Sequence, residues 1–330
     1  MRPNALWTVM ALAILIPAGP IWTRSMPKGA RRVDFAGYSD CILLANADTR
    51  VVLDPNCGGR VLEYSWKGVN SIMLDPDQDG WIYGPNRKRI DPCGGRLDIG
   101  PEMTIPKHPT LWLGAWTGAT VGQRKARLTS QHDEATGVQL VRDFELSAES
   151  SHLRVTQTIR NVSHETVSYC HWSRTLACPN GICVVPLTPL SRFPKGYVMY
   201  GPGPVMNYRP QDPSIRIQDG HLVIDGLPKY PKLGIDTYAG WLAYLMREDL
   251  LFVKRFPSYP DRIYGEMAAI TVSIYYHPKM CELEPIGPME RLEPDSAASY
   301  TEDWWLLEMR YPEGVLDLDG LCDLVHTQAR

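Results

Sequence analysis

The stretch HLRVTQTIRNVSHETVSYCHWSRTLA, residues 152–177, decides the fold class. Apolar and polar side chains alternate on both sides of a short polar turn, and a period of two residues is that of a β-strand. The stretch therefore predicts two consecutive strands that each turn one face towards a core. The second strand carries a histidine, His171, among aromatic and β-branched neighbours.

The same alternation continues through most of the chain after residue 38, with Gly, Asn, Asp and Ser between the segments. A helical pattern is found only in the tail, residues 314–328. A dozen or more short strands predict an all-β fold of antiparallel sheets packed face to face. The Pro- and Gly-rich regions 75–118 and 187–236 are predicted to be long loops, which on a rigid β scaffold often carry function.

Composition and absent motifs exclude several classes of function. The chain has 330 residues and a net charge of −3, with both signs interspersed, so we expect no nucleic acid partner. No serine-hydrolase, zincin, EF-hand or dinucleotide motif occurs, and we expect no cofactor. The eight cysteines form no C-x-x-C pair, which argues against a metal site. Cys178 and Cys183 are candidates for a small disulfide loop.

The N-terminal segment differs from the rest of the chain. Arg2 precedes an uncharged run from Ala5 to Trp22, and Arg24, Lys28 and Arg31 follow. This pattern is typical of a secretory signal, and the run is also long enough for an uncleaved anchor. We therefore expect residues 1–30 to be a signal peptide or N-terminal membrane anchor. The protein would then be exported, to the periplasm or outside the cell, with the membrane as a partner only through that segment.

The order of several segments resembles the galactose mutarotase-like superfamily, which contains the aldose 1-epimerases. GGRVLEYSWKGVN (58–70) resembles the opening hairpin of those proteins, and TIRNVSHETVSYCHWSRT (158–175) resembles their central strand pair with its internal histidine. CELEPIGPMERLEPDSAASYTEDWWL (281–306) resembles their closing strands. The resemblance covers roughly residues 38–310 and implies a β-supersandwich over residues 31–330. It also implies a sugar or polysaccharide as the ligand.

The resemblance further implies an acid and a base for proton transfer at the anomeric carbon. By position, His171 would be the acid, and Glu282 or Glu284 on a late strand would be the base. The two glutamates share one face of their strand, and adjacent carboxylates raise one another's pKa. The alternatives are a buried histidine and a solvated strand face. Arg174, three residues after His171, faces the other side of a regular strand, so only a bulge would bring both into one site.

The stretch DPCGGRLDIGPEMTIPKHPTLWLGAW, residues 91–116, supplies the candidate sugar-binding groups. Sugars are held by planar hydrogen-bonding groups and by aromatic faces, and an arginine can neutralise a uronate or sulfate. Arg96 is the first choice because the epimerases carry an arginine in a comparable stretch. The other candidates are Asp98, Glu102, His108, Trp112 and Arg174. The alternative for this stretch is an ordinary surface loop with a salt bridge or two.

Three other functions remain open from the sequence. A polysaccharide lyase of the same fold would abstract the proton beside a uronate carboxylate, with His or Tyr as the base. A non-catalytic module would only bind glycan. A glycoside hydrolase would use two carboxylates.

Overall fold

The computed structural model describes residues 29–203 and 205–330, and it consists mainly of antiparallel β-strands. In this part of the chain the strands form two sheets, of 13 and 10 strands. The expected all-β supersandwich is confirmed. The predicted leader or anchor covers residues 1–30. Residues 1–28 of this segment lie outside the described residues. The first strand already includes Gly29 and Ala30.

The larger sheet contains thirteen strands. In chain order they are β1 (Gly29–Phe35), β2 (Tyr38–Ala45), β3 (Thr49–Asp54), β4 (Arg60–Trp66), β5 (Val69–Asn70), β6 (Gly95–Gly100), β11 (Val167–Ala177), β13 (Tyr197–Tyr200), β14 (Met206–Asn207), β17 (Lys232–Ile235), β20 (Val272–His277), β21 (Met280–Pro285) and β22 (Glu290–Leu292). Their spatial order is β1-β2-β3-β4-β6-β11-β21-β20-β17-β13-β14, with β5 beside β4 and β22 beside β11.

The smaller sheet contains ten strands. They are β7 (Thr117–Gly122), β8 (Lys125–Thr129), β9 (Val138–Leu146), β10 (Leu153–Asn161), β12 (Ile182–Pro186), β15 (Ile215–Gln218), β16 (His221–Ile224), β18 (Trp241–Met246), β19 (Leu250–Arg255) and β23 (Ala297–Glu308). Their spatial order is β15-β16-β12-β18-β19-β23-β10-β9-β8-β7.

Helices are short and peripheral. The helix α1 (Pro109–Trp112) is a single turn, and α2 (Leu318–Gln328) packs Leu321 and Val325 on the outer face of the smaller sheet. The predicted helix in the tail is confirmed by α2. No helix among residues 29–203 and 205–330 has the length and hydropathy needed to cross a membrane.

The main hydrophobic core lies between the two sheets. It joins residues such as Leu44, Leu53 and Leu283 of the larger sheet to Phe144 and Trp304 of the smaller one. The outer face of the larger sheet is covered by the segment between β5 and β7, through Trp81 and Leu113, among others. This covering segment and the sheet beneath it form the candidate site.

Three expectations about local structure need correction. The region 75–118 contains the strand β6, and the region 187–236 contains five strands, so neither is a continuous loop. The pairing of Cys178 with Cys183 is not found, and all eight cysteines are free. Cys183 is buried within β12, whereas the thiol of Cys178 lies 3.5 Å from the carbonyl oxygen of Asn70.

Candidate functional site

Strand register brings the predicted polar residues of β6, β11 and β21 onto the outer face of the larger sheet. Arg96 lies opposite Arg174, and Asp98 lies opposite Trp172 in the β6–β11 pair. Glu282 lies opposite Leu176 in the β11–β21 pair. Because side chains on one face recur at every second residue, this register places Arg96, Asp98, Arg174, Glu282 and Glu284 on the same side.

Glu282 joins two arginines beneath the surface of this face. Its Oε1 accepts a hydrogen bond from Arg174 Nε at 3.1 Å and another from Arg96 Nη2. Burial opposes ionisation, yet the two guanidinium groups hold the pKa of Glu282 below its ordinary value. Glu282 therefore stays charged and fixes both arginines. It is nearly inaccessible, which suits a positioning residue better than a base that must contact substrate.

Arg96 is enclosed, so the first choice for a sugar-binding residue does not reach the surface. Its side chain is 2% exposed and donates to Asp91 Oδ1 at 2.5 Å, to the Pro92 carbonyl at 3.2 Å and to the Arg174 carbonyl at 3.1 Å. Together with Glu282, these contacts occupy all of its guanidinium nitrogens. Arg96 thus supports Arg174 from behind.

Glu284 lies deeper than Glu282 and is held by two donors. Trp172 Nε1 donates to Oε2 at 2.7 Å, and Ser273 Oγ lies 3.0 Å from Oε1. Burial, and next the charge of Glu282, raises the pKa of Glu284 to about 8. The two glutamates therefore share one face as predicted but differ in charge at neutral pH. Trp172 separates Glu284 from the surface.

Asp98 and His108 form a largely buried ion pair on the same face. His108 Nε2 lies 2.9 Å from Asp98 Oδ1, and His108 Nδ1 lies 2.7 Å from the carbonyl oxygen of Pro106. Burial alone would lower the pKa of His108, but the hydrogen bond and charge of Asp98 raise it to about 9. The imidazolium in turn holds the pKa of Asp98 below its ordinary value, against the effect of burial.

The pair opens onto a cavity of about 310 Å³, which is the size of small-ligand sites. Asp98, His108, Trp112, Trp172 and Arg174 line it. The guanidinium of Arg174 lies between two indoles, with its carbon 5.2 Å from the ring centre of Trp112 and 4.8 Å from that of Trp172. Glu102 lines the rim, where it pairs with Lys232 at 2.8 Å. The cavity thus combines a carboxylate, an imidazolium, a guanidinium and aromatic faces.

A second cavity, of about 530 Å³, lies beside Tyr238 and Tyr264. No carboxyl group lines it, and its two arginines are already paired, Arg192 with Asp236 and Arg262 with Glu290. Although it is larger, it offers only neutral acceptors such as the hydroxyls of Thr188 and Tyr238, and no carboxylate for a sugar hydroxyl. The first cavity is therefore the candidate site.

His171 does not belong to this cluster, which corrects the expectation that it acts with the late glutamates. Its side chain points inward, where its ring stacks on Tyr300 of β23 at 5.6 Å between ring centres. It is 2% exposed, and neither ring nitrogen has a hydrogen-bond partner among the described residues. Burial lowers the pKa of His171 to about 4, although the backbone at Ala298 and Gln157 favours the protonated form, so the ring is neutral. The β6–β11 register has no bulge here, so His171 and Arg174 point to opposite faces of the sheet.

The predicted residues Asp98, Glu102, His108, Trp112 and Arg174 all line the cavity, but two features of its lining were not predicted. Trp172 forms one wall of the cavity. It lies two residues before Arg174 on β11, so its place on the same face of the sheet could have been predicted. Arg89 and Lys107 also line the cavity, and only proximity in the folded chain places them there. Within the described residues, no cluster of three or more His, Cys, Asp or Glu could hold a metal ion.

Comparisons with known proteins agree with this fold. A family model described as a domain of unknown function (DUF4380) matches residues 103–307. Comparison with curated proteins gives no significant match. A putative aldose 1-epimerase from Escherichia coli K12 is similar in structure, with a TM-score of 0.57 and 10% identity over 85% of this chain and 100% of that one.

Two other solved structures give similar values. A galactose mutarotase-like protein from Lactobacillus casei has a TM-score of 0.54 and 11% identity, over 81% of this chain and 100% of that one. A protein from Synechocystis has a TM-score of 0.54 and 13% identity, over 88% of this chain and 99% of that one. At these identities the likeness shows a shared galactose mutarotase-like fold.

Proposed function

Because the chain belongs to the family described as a domain of unknown function (DUF4380) and has a galactose mutarotase-like fold, we propose that it binds a carbohydrate in the cavity above β6 and β11. One observation carries this proposal. Asp98, His108 and Trp112 of the stretch 91–116 line a single cavity of about 310 Å³ together with Arg174, which comes from the strand β11. Fold alone fixes no activity, so the proposal rests on these side chains.

Each group has a defined use in holding a sugar. Asp98 Oδ1 faces His108, whereas Oδ2 lies 3.9 Å from Arg174 Nη1, beyond hydrogen-bond distance, so that it can accept from a hydroxyl. His108 already uses both ring nitrogens, which keeps Asp98 ionised and oriented. Trp112 offers an apolar face to the C–H surface of a sugar ring. Donors, acceptor and apolar face together match the chemistry of a pyranose.

Binding is tested by calorimetric titration of the protein with neutral and acidic monosaccharides and disaccharides. We expect at least one sugar to bind to the wild type and Asp98→Asn to weaken that binding by about tenfold, because a charged acceptor is lost. Asp143→Asn is the matched control, since Asp143 pairs with Arg127 on the exposed surface and should leave binding unchanged. Binding that survives Asp98→Asn unaltered would place the sugar elsewhere.

A second candidate function is anomer exchange, which the contact between Asp98 and His108 favours. In this reaction Asp98 Oδ2 takes the proton of the anomeric hydroxyl, and His108 Nε2 exchanges its hydrogen bond with Asp98 Oδ1 for one with the ring oxygen. The bond between the anomeric carbon and the ring oxygen then breaks as the ring oxygen receives the proton of His108 Nε2. Ring closure on the other face then reverses these transfers. Imidazolium and carboxylate in contact are suited to such paired transfers near neutral pH. Glu282 takes part as a positioning residue.

Anomer exchange is measured separately from binding, by following the equilibration of freshly dissolved sugar by NMR. The catalytic proposal predicts an accelerated rate that falls by at least about a hundredfold in Asp98→Asn. If a sugar binds but equilibrates no faster than in buffer, the protein is a binding module.

We also propose that the protein is exported. The support is the charged and then apolar segment at residues 2–22. Fractionation of cells that express the full chain tests this proposal, and recovery in the cytoplasmic fraction alone would contradict it.

A further inference from the structure

We infer that the ligand is an acidic sugar, one that carries a carboxylate, sulfate or phosphate group, and that Arg174 recognises the anionic group. This inference rests on the proposed function and adds the class of sugar. It depends on the free donors of Arg174 and on the charges that surround the cavity.

Arg174 presents unused donors to the cavity in a fixed orientation. Its Nε donates to Glu282 at 3.1 Å, whereas its two terminal nitrogens have no hydrogen-bond partner among the described residues. Its side chain is 20% exposed and lines the cavity. Trp112 and Trp172 hold the guanidinium plane from two sides. A guanidinium with two parallel free donors is the usual receptor for a carboxylate, sulfate or phosphate.

The acidic groups around the cavity are already paired. Asp98 pairs with His108 at 2.9 Å, and Glu102 pairs with Lys232 at 2.8 Å. Beneath them, Glu282 pairs with both Arg96 and Arg174. Each of these carboxylates therefore has a positive partner that offsets its charge, while Asp98 Oδ2, 3.9 Å from Arg174 Nη1, stays available to a sugar hydroxyl.

Two basic side chains at the cavity differ from these carboxylates. Arg89 and Lys107 line it and form no ion pair with any residue in the described part of the chain. Positive charge is therefore in excess at the opening, and field lines in a concave site focus that excess on an entering ligand. An anion supplies the charge that the protein lacks there.

Arg174 and Arg96 have different roles in this inference. Arg96 was the arginine expected to neutralise a uronate, but its nitrogens are all used by Asp91, Glu282 and two carbonyl groups. Its role is to hold the backbone of Arg174 and the carboxylate that orients it. Selectivity for an acidic sugar is therefore expected to depend on the residue at position 174.

The test compares glucuronate, glucose 6-phosphate and glucose as probes in calorimetric titrations at low and high salt. We expect at least one acidic probe to bind about tenfold more tightly than glucose, because a charge-assisted pair of hydrogen bonds is added. Higher salt should reduce this advantage. The ratio between glucuronate and glucose 6-phosphate tells which anionic group the site prefers.

Variants assign the preference to Arg174. Arg174→Lys keeps the charge and the pair with Glu282 but loses the fork, so we expect the advantage of the acidic probe to fall severalfold while the variant stays folded. Arg174→Gln should abolish the advantage of the acidic probe over glucose. Arg127→Gln is the control, since Arg127 is an exposed arginine paired with Asp143 and should keep the full advantage.

Failure of the inference and failure of the proposed function give different results. Equal affinity for glucose and both acidic probes would overturn the inference and leave sugar binding intact. No binding of any sugar would overturn both. Acetate or inorganic phosphate bound as tightly as the acidic sugars would show an anion site without sugar recognition, which contradicts the proposed function.

Discussion

His171 and Arg174 lie three residues apart on one strand and serve opposite faces of the sheet. Arg174 points to the outer cavity, whereas His171 points into the dry interior against Tyr300. A neutral imidazole without hydrogen-bond partners contributes mainly packing there, and it resists protonation because burial outweighs the favourable effect of the nearby backbone. The groups available for acid/base chemistry in the proposed function are therefore Asp98 and His108, which line the cavity.

We predict that His171 makes the fold sensitive to acid. Its pKa is lowered to about 4 in the folded protein, below the ordinary value of 6.5 in the unfolded chain. The unfolded state therefore binds the extra proton first, and stability is lost as the pH falls from about 6.5 towards 4. The shift corresponds to about 3 kcal/mol over that range.

The measurement is denaturant unfolding at pH 7 and pH 5. His171→Leu should lose less stability between these values than the wild type, because the titrating group is gone. His132→Leu, at an exposed histidine, is the control and should follow the wild type. The same pH dependence in His171→Leu and wild type would show that His171 is not the cause.

We predict that Glu282 is needed more for stability than any exposed carboxylate. Glu282→Gln keeps the shape but leaves Arg96 and Arg174 without their shared charge, which should cost about 3 kcal/mol of unfolding free energy. Glu308→Gln removes an exposed pair with Lys67 and should cost no more than about 0.5 kcal/mol. Equal unfolding midpoints for the two variants would contradict the positioning role of Glu282.

The alternation of side chains between the two faces of a strand explains which site residues the sequence predicts. Glu282 and Glu284 alternate with buried residues and do share a face, and Arg174 does face away from His171. What the sequence does not contain is which of the two faces is dry, because apolar residues flank both sides of β11. The resemblance favoured the histidine, whereas the structure places the arginine at the cavity.

At the scale of elements, β6 decides where the site forms. It pairs with β4 through Val61 and Gly95 and then continues beside β11, carrying Arg96 and Asp98 onto the outer face. This approach requires Gly94, whose φ of +111° is rare for other residues. A Cβ at Gly94 would lie 2.8 Å from the carbonyl oxygen of Val61.

We predict that Gly94→Ala destabilises the fold more than an equivalent change in an open turn. Gly220→Ala is the matched control, since Gly220 also has a positive φ but nothing lies within 4 Å of the added Cβ. The control should cost about 1 kcal/mol for backbone strain alone. Gly94→Ala should cost about 2 kcal/mol more because of the contact with Val61. Equal losses of unfolding free energy in the two variants, measured by denaturant unfolding, would show that β4 and β6 can move apart to make room for the added Cβ.

The strand β6 was not predicted from the sequence, and its composition explains why. β6 lies in a Gly- and Pro-rich region, and its Gly-Gly start reads as a turn although it serves close packing. The regularly alternating strands β9, β10 and β11 were predictable because one face of each packs on a core. Short-range patterns thus identify amphipathic strands and miss strands that are covered on both faces.

At the scale of the whole molecule, Lys254 ties the two sheets together through the core. It lies on β19 of the smaller sheet and is completely buried. Its Nζ lies 2.9 Å from Glu302 Oε2, and it donates to Ser173, Thr175 and the carbonyl of Leu283 on the larger sheet. These contacts lie directly behind Arg174 and Glu282, so the position of the outer site depends on this inner link.

We predict that Lys254→Met costs about 3 to 5 kcal/mol of unfolding free energy, because Glu302 is left as an unpaired buried charge. Lys254→Met combined with Glu302→Leu should recover part of that loss. Lys125→Met, which breaks an exposed pair with Glu145, is the control and should have little effect. A double variant less stable than Lys254→Met would contradict the assigned pair.

The location of a bound sugar can be seen directly in a crystal structure of the protein with glucuronate. We expect the sugar ring between Trp112 and Asp98, with its carboxylate facing the two terminal nitrogens of Arg174. Density for the sugar beside Tyr238 and Tyr264 instead, with the cavity at Asp98 unchanged, would contradict the proposed site.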